Sequence, residues 1–213
     1  MADYAYLDLF RADIFRMIPE DGKIIGTIGC GTARTEARLV EQGREVHGVD
    51  VAAGPIEVAK GRLTSARVIE PNNVAPFEPA SLDGLILADV LEHLPDAWRA
   101  LESFTQAVKP GGWVVISVPN MRYVGALRTF LIGGDWPEAS LGIFDQTHIQ
   151  VMTHKRLERW CRNAGLRPEK EFDIYDFGFL RRNIYRALNL ASFRMLKSFL
   201  NFAIQARYRK AKY

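Results

Sequence analysis

Two groups of residues in this sequence have the types and spacing that binding and catalysis require. The first is a glycine loop, Gly29-Cys30-Gly31, which follows a short apolar run and precedes a polar helical stretch. Such a loop lets the backbone approach a ligand and directs helix N–H groups toward it. Asp50 ends the next apolar run, 21 residues after Gly29, where a carboxylate can accept hydrogen bonds from a ribose diol. The pattern predicts a nucleotide site.

The glycine loop departs from the dinucleotide fingerprint. Arg34 stands where that fingerprint needs a small residue for close packing of helix on strand. NAD and FAD are therefore disfavoured, and a nucleoside without a pyrophosphate suits the loop better. An ordinary tight turn between a strand and a helix is the alternative interpretation.

The second group is Asp89, Glu92 and His93, followed later by Asp145 and His148. Residues at i, i+3 and i+4 share one face of a helical turn. Two carboxylates and an imidazole there would suit a divalent metal ion, magnesium or zinc, with Asp145 or His148 as a further donor. Without a metal, His148 or His93 is the best general base, because imidazole titrates near neutral pH. Local pairing of Glu92, with His93 packed under the loop, is the alternative.

The elements that must position these residues follow from hydrophobic periodicity. Short apolar runs alternate with helical stretches up to residue 119, which favours a parallel sheet covered on both faces. Strands are predicted at 23–28, 45–51, 66–69, 82–90, 113–119, 170–177 and 202–210. Helices are predicted at 4–18, 35–43, 55–63, 97–108, 154–165 and 180–199.

Length and composition favour one soluble domain over residues 1–213. Hydrophobic residues make up 48% of the chain and charged residues 25%, which is ordinary for a globular protein. We expect no membrane span and no secretion signal, because the sequence has neither a long apolar run nor a basic-then-apolar start. Cys30 and Cys161 cannot form a disulfide framework, so a cytoplasmic location is expected.

The positive charge is concentrated at one end of the chain. Residues 179–213 hold nine Lys or Arg and no Asp or Glu, whereas the first 178 residues hold 19 basic and 25 acidic side chains. A basic helical insertion at 179–198 predicts an anionic partner, either substrate phosphates or the inner face of a membrane, touched peripherally through residues 179–213. A solvated helix face is the alternative. Nucleic acid is not expected, because nothing else forms a broad basic face; a homodimer is compatible with the sequence.

The stretches "IGCGTA", "VHGVD", "LADVLEHLPD" and "VKPGGWVVISVPN" resemble the successive motifs of class I S-adenosylmethionine-dependent methyltransferases. The resemblance covers nearly the whole chain. It implies a three-layer α/β fold, a Rossmann-like doubly wound sheet of seven strands with the last strand antiparallel, and S-adenosylmethionine as cofactor. Motif matching assigns residues to the methionine part (Gly29, Cys30, Gly31), the ribose (Asp50, beside Val51), the adenine (Glu70 or Asn72) and the closure of the site (Ala88, Asp89).

Two positions depart from that family's pattern. The family usually has an acid where Thr27 stands and a glycine where Ala33 stands. Thr27 carries no charge opposite a cationic cofactor, so we expect weakened cofactor binding, which Thr27→Asp should restore. Ala33 is acceptable unless its backbone needs a positive φ.

The second group has its own resemblance. An acid-x-x-Glu-His run resembles the metal-dependent members of the family, the ubiquinone-pathway O-methyltransferases and the small-RNA 3′-end ribose methyltransferases. The RNA enzymes add a histidine five residues before a threonine, as His148 and Thr153 stand here. The resemblance implies a metal set of Asp89, Glu92, His93 and His148.

Residues 117–153, with a substrate-side segment at 120–148, narrow the resemblance. They are similar to the pattern of methyltransferases that accompany bacterial surface-polysaccharide glycosyltransferases. This implies O-methylation of a sugar hydroxyl on a glycan, a nucleotide sugar or a lipid-linked intermediate. Two alternatives stay open. One is O-methylation of a phenolic or quinone precursor. The other is a binding protein without catalysis, like a methionine-biosynthesis partner family that has this fold but lacks the Glu-His pair.

Overall fold

A seven-stranded sheet organises the residues that the computed structural model describes, which are 8–71, 73–174, 183–184, 187, 189–192 and 196–212. The strand order is β3-β2-β1-β4-β5-β7-β6. The strands are β1 (Ile24–Ile28), β2 (Glu45–Asp50), β3 (Ser65–Val68), β4 (Leu82–Ala88), β5 (Val108–Pro119), β6 (Leu166–Phe172) and β7 (Ala203–Lys210).

Helices cover both faces of this sheet. They are α1 (Ala12–Phe15), α2 (Ala37–Glu41), α3 (Ala53–Lys60), α4 (Ala97–Gln106), α5 (Val124–Leu131), α6 (His154–Asn163) and α7 (Lys197–Leu200), with a 3₁₀ turn at Leu91–His93. One apolar cluster joins the sheet to α4 and α6, and a second joins it to α1, α2 and α3. The central strands are buried on both sides, which is why their sequences are continuous apolar runs. The predicted three-layer fold is confirmed. Within the described parts of the chain, no helix is long and apolar enough to cross a membrane.

The antiparallel strand is β7, which lies between β5 and β6 and pairs with both. Its two arginines have acidic partners: Arg207 pairs with Glu169 at 2.9 Å, and Arg209 pairs with Asp21 and Glu169, each at 2.6 Å. Part of the basic character of residues 179–213 is therefore neutralised by the acidic body of the protein. Half of the predicted basic insertion, 179–198, lies outside the described residues.

Three elements differ from the sequence prediction. The helix predicted over 4–18 is present only at Ala12–Phe15, and residues 1–7 lie outside the described chain. It starts late because the Arg11 N–H donates to the Thr35 hydroxyl at 2.9 Å instead of to a preceding carbonyl. β5 begins five residues early, at Val108, which pairs with Leu82. The strand predicted over 170–177 is present as β6 at Leu166–Phe172, and its ladder ends where the Ile174 N–H donates to the Asn201 side chain. Residues 175–177 lie outside the described chain.

Candidate active site

The glycine loop connects the carboxyl end of β1 to α2. Gly29 and Gly31 have φ values of +67° and +52°, a conformation in which glycine carries no steric penalty. A Cβ on Gly29 would lie 2.7 Å from Val90 Cγ2, so the loop packs closely against the residue that follows β4 and Asp89. Ala33 also has a positive φ, +55°, so a residue with a side chain occupies a position that favours glycine. The loop keeps the predicted cradle shape at the cost of that strain.

Asp50 ties the loop to the end of β2. Its Oδ2 accepts from the Gly31 N–H at 2.8 Å and its Oδ1 from the Ala52 N–H at 3.0 Å, and the side chain is buried. A carboxylate has about four acceptor positions, and the predicted contact of Asp50 with a ribose hydroxyl stays a prediction. Val51 next to it is exposed.

Three further predicted cofactor residues, Cys30, Ala88 and Glu70, lie at or after the carboxyl ends of β1, β4 and β3. Cys30 is buried within the loop, and Ala88 ends β4, where it pairs with Ser117. Glu70 follows β3 and is exposed, with its carbonyl accepting from the Asn73 N–H. Asn72 lies outside the described residues. The assignment of these residues to parts of the cofactor stays a prediction.

An arginine that the sequence patterns did not single out reaches this edge. Arg11 Nη1 donates to Asp89 Oδ2 at 2.7 Å, and the same guanidinium contacts Asp13. Asp89 Oδ1 accepts from the Ser117 hydroxyl at 2.7 Å. Both Asp89 oxygens are thus engaged in the protein. No spacing rule could have identified Arg11, because its partner is 78 positions away in the chain.

The predicted metal or base residues Glu92, His93 and His148 lie close together at the 3₁₀ turn that follows β4. Among the described residues, Glu92, His93 and His148 form a set whose ligand atoms lie within 4.8 Å of one another. The two imidazole centroids are 4.8 Å apart, and His148 Nε2 lies 3.9 Å from Glu92 Oε1. This set does not include Asp89 or Asp145, so the structure brings together three of the four predicted metal residues.

Glu92 is fully buried, and within the described chain neither carboxylate oxygen has a hydrogen-bond partner. Burial raises its pKa well above the usual range, and the nearby Asp89 charge adds to the rise. Burial lowers the pKa of His93, and the neighbouring His148 lowers it further. A buried carboxyl and an imidazole with displaced pKa values, close together, are typical of functional sites.

Hydrogen bonds fix the protonation pattern of both imidazoles. The Thr147 hydroxyl donates to Asp145 Oδ1 at 2.6 Å, so its oxygen accepts from His93 Nδ1 at 3.0 Å. His148 Nδ1 faces the Ile143 carbonyl at 3.4 Å, which can only accept. Each ring therefore carries its proton on Nδ1 when neutral and presents Nε2 as the basic nitrogen. Asp145 orients His93 through Thr147, although it lies outside the set of three.

Backbone hydrogen bonds attach the substrate-side segment to this group. The Ile149 and Gln150 N–H groups both donate to the Glu92 carbonyl, at 2.9 and 3.1 Å. The segment contains α5, which the sequence analysis did not predict, and an aromatic series in which Trp136 contacts Phe130 and Phe144 edge-on. Ile132 and Leu131 on it are 81% and 71% exposed, so the segment presents apolar side chains to solvent.

Comparison with known proteins shows the family to which this chain belongs. The chain matches a family described as "Methyltransferase domain" over residues 7–171. It is 28% identical over 153 residues to a ubiquinone biosynthesis O-methyltransferase of Leptothrix cholodnii, covering 68% of this chain and 65% of that protein. A protein of the same name from Paraburkholderia phymatum is 30% identical over 151 residues, with 68% and 65% covered. These matches span just under two thirds of the relatives' length.

Solved structures agree on the fold. A methyltransferase from Mesorhizobium loti, described as S-adenosylmethionine dependent, superposes with a TM-score of 0.65 at 15% identity, covering 92% of this chain and 95% of that one. One from Archaeoglobus fulgidus gives 0.61 at 19% identity, with 88% and 86% covered. The strand order with an antiparallel β7, the glycine loop and the family match lead to one conclusion. The chain belongs to the methyltransferase-domain family and has the fold of class I S-adenosylmethionine-dependent methyltransferases.

Proposed function

We propose that this chain transfers the methyl group of S-adenosylmethionine to a hydroxyl oxygen of a small molecule. The observation that carries the proposal is the buried Glu92 carboxylate beside His93 and His148, at the end of β4 and next to the glycine loop. Val90 links the two parts, since its Cγ2 occupies the space that a Cβ on Gly29 would need and it lies two residues before Glu92. A cofactor cradle and a base therefore share one edge of the sheet.

Methyl transfer from a sulfonium is an in-line displacement, so the protein mainly positions the two reactants and excludes water. The loop amides and Asp50 hold the cofactor in this proposal. Nε2 of His148 or His93 accepts the proton of the acceptor hydroxyl as the oxygen attacks the methyl carbon. Glu92, 3.9 Å from His148 Nε2, stabilises the imidazolium that results.

The same three side chains fit a divalent metal ion. One carboxylate and two imidazoles are a donor set typical of zinc, whereas magnesium prefers an all-oxygen set. Glu92, with its two buried oxygens that lack a described partner, would be the anionic ligand. When bound, such an ion lowers the pKa of a coordinated hydroxyl.

Two acceptor classes have separate support. The curated relatives are named for ubiquinone biosynthesis, which supports a phenolic or quinone-type acceptor. The pattern of residues 117–153 supports a sugar hydroxyl on a glycan, a nucleotide sugar or a lipid-linked intermediate. The aromatic series around Trp136 suits either a phenol ring or the apolar face of a sugar.

The test is methyl transfer from radiolabelled S-adenosylmethionine to a panel of catechols and sugars. It is run with chelator-treated protein and again after zinc or magnesium is restored. His148→Ala should abolish turnover and leave cofactor affinity unchanged. His47→Ala is the matched control, because His47 lies on β2 and bonds Ser65 and Glu45. Near-wild-type turnover in His148→Ala removes that residue from the mechanism. If the wild-type protein does not bind S-adenosylmethionine, the methyltransferase proposal fails and a binding role gains support.

A further inference from the structure

A second buried carboxylate, that of Glu36, lies close enough to the glycine loop for its charge to add to the effect of burial, which raises the pKa of the Cys30 thiol. Glu36 precedes α2 and is 7% exposed, and Thr27 on β1 is 1% exposed. The Thr27 hydroxyl donates to Glu36 Oε1 at 3.1 Å. The family resemblance leads one to expect an acid at position 27. Here Thr27 stands at that position, and its hydroxyl holds the carboxylate of Glu36, which immediately precedes α2.

Glu36 has no cation of its own in the described chain. The described residues form no ion pair with Glu36. Arg11 acts on Glu36 only through its charge, at a distance, and forms its ion pairs with Asp13 and Asp89. Burial raises the pKa of Glu36, opposed by the Thr27 hydrogen bond and the Arg11 charge. A carboxylate buried against a neutral hydroxyl costs stability unless a cation joins it. The structure supplies the anion and a positioning hydroxyl but leaves the cation to a ligand.

We propose that Glu36 is the acid of the cofactor site, which binds the ammonium group at the methionine end of S-adenosylmethionine. Thr27 is its positioning residue, which holds the carboxylate against the loop. This inference rests on the proposed function, since it names the residue that recognises the same cofactor. The proposal also replaces the expectation that Thr27 weakens cofactor binding. In this proposal the negative charge is supplied by Glu36, nine positions after Thr27, at the start of α2 and not on β1.

Calorimetry on the unliganded protein tests this with three ligands. S-adenosylmethionine and S-adenosylhomocysteine carry the ammonium group, and 5′-methylthioadenosine does not. Glu36→Gln keeps an oxygen that can accept the Thr27 hydrogen bond but removes the negative charge. It should lower the affinity for S-adenosylmethionine and S-adenosylhomocysteine by about 10- to 100-fold. It should leave the affinity for 5′-methylthioadenosine unchanged. Glu41→Gln, on the exposed face of α2 and paired with Arg38, is the matched control and should change no affinity.

A swap separates recognition from folding. The double variant Thr27→Asp/Glu36→Ala returns the acid to β1 and should bind S-adenosylmethionine within a few-fold of the wild type. Thr27→Asp alone should give no gain, because two carboxylates within hydrogen-bond distance cannot both ionise freely. Thermal unfolding without ligand identifies any variant that is misfolded.

The outcomes are distinct. Equal losses for all three ligands, an unchanged Glu36→Gln, or a loss limited to the sulfonium ligand overturns the assignment of Glu36 to the ammonium group. Failure of the swap in a folded double variant also counts against it. If the wild-type protein binds none of the three ligands, the proposed function fails and the assignment of Glu36 fails with it, whereas a ligand-binding wild type with an unchanged Glu36→Gln overturns the assignment of Glu36 alone.

Discussion

The contact between Gly29 and Val90 can be measured as a stability term. Gly29→Ala places a Cβ at φ +67° and 2.7 Å from Val90 Cγ2. Gly43→Ala is the matched control, since Gly43 has φ +80° and a Cβ there would meet nothing within 4 Å. The two substitutions share the cost of a left-handed alanine and differ in the steric clash.

The expected magnitudes follow from those two contributions. A left-handed L-residue costs about 1–2 kcal/mol, partly offset by the lower entropy of the unfolded alanine chain. Overpacking adds about 1–3 kcal/mol where the neighbour cannot move freely. Val90 is branched and packs against the core cluster that includes α4. We therefore expect Gly29→Ala to lower the free energy of unfolding by about 1–3 kcal/mol more than Gly43→Ala.

Urea unfolding at neutral pH, followed by circular dichroism, measures both variants and the double variant Gly29→Ala/Val90→Ala. A double-mutant cycle should show a favourable coupling between the two sites of about 1–3 kcal/mol, because removing the Val90 branches relieves the clash. Equal destabilisation by Gly29→Ala and Gly43→Ala, or additive effects at positions 29 and 90, would refute the reasoning.

Two further predictions concern buried titratable groups. Glu92→Gln, in chelator-treated protein, should raise the free energy of unfolding at pH 7 by about 1–3 kcal/mol, because it removes a buried group that ionises without a described partner. Burial raises the pKa of Glu92 in the folded state. The contribution of Glu92 to folding stability is therefore complete below its unfolded-state pKa and is lost as pH rises through its folded-state pKa, so the stabilities of wild type and Glu92→Gln should converge in urea unfolding at acid pH. A constant difference in stability from pH 4 to pH 8 contradicts this. Burial raises the pKa of Cys161 to about 12 and that of Cys30 further, so iodoacetamide should modify neither thiol before unfolding, as mass spectrometry would show. Rapid labelling of either in the native protein would contradict their burial.

The sheet was predictable because its central strands are buried on both sides. That burial imposes continuous apolar runs such as those of β1, β4 and β5, and the intervening helices follow from periodicity. α1 was predicted too long because one long-range hydrogen bond, from the Arg11 backbone to Thr35, overrides local helical spacing. The α5 helix was missed because its apolar residues face outward as well as inward.

The site was predictable where chemistry requires local spacing, as in the glycine loop, Asp50 and the Glu92-His93 pair. His148 was found from its position before Thr153, and the structure places it beside Glu92. The contacts of Arg11 and Glu36 could not be found in this way, since each has its hydrogen-bond partner on another element.

The placement of β7 has a consequence for how the chain acquires its structure. β6 pairs with β7 and is separated by it from the other five strands. The parallel strands can therefore assemble as synthesis proceeds, while β6 has to wait for residues 203–210 to be made. Until then, the edge of β5 is exposed with its ladder of N–H and C=O groups unpaired. Completion of the sheet therefore follows the synthesis of β7, and the β5 edge is open to mispairing until β7 is in place.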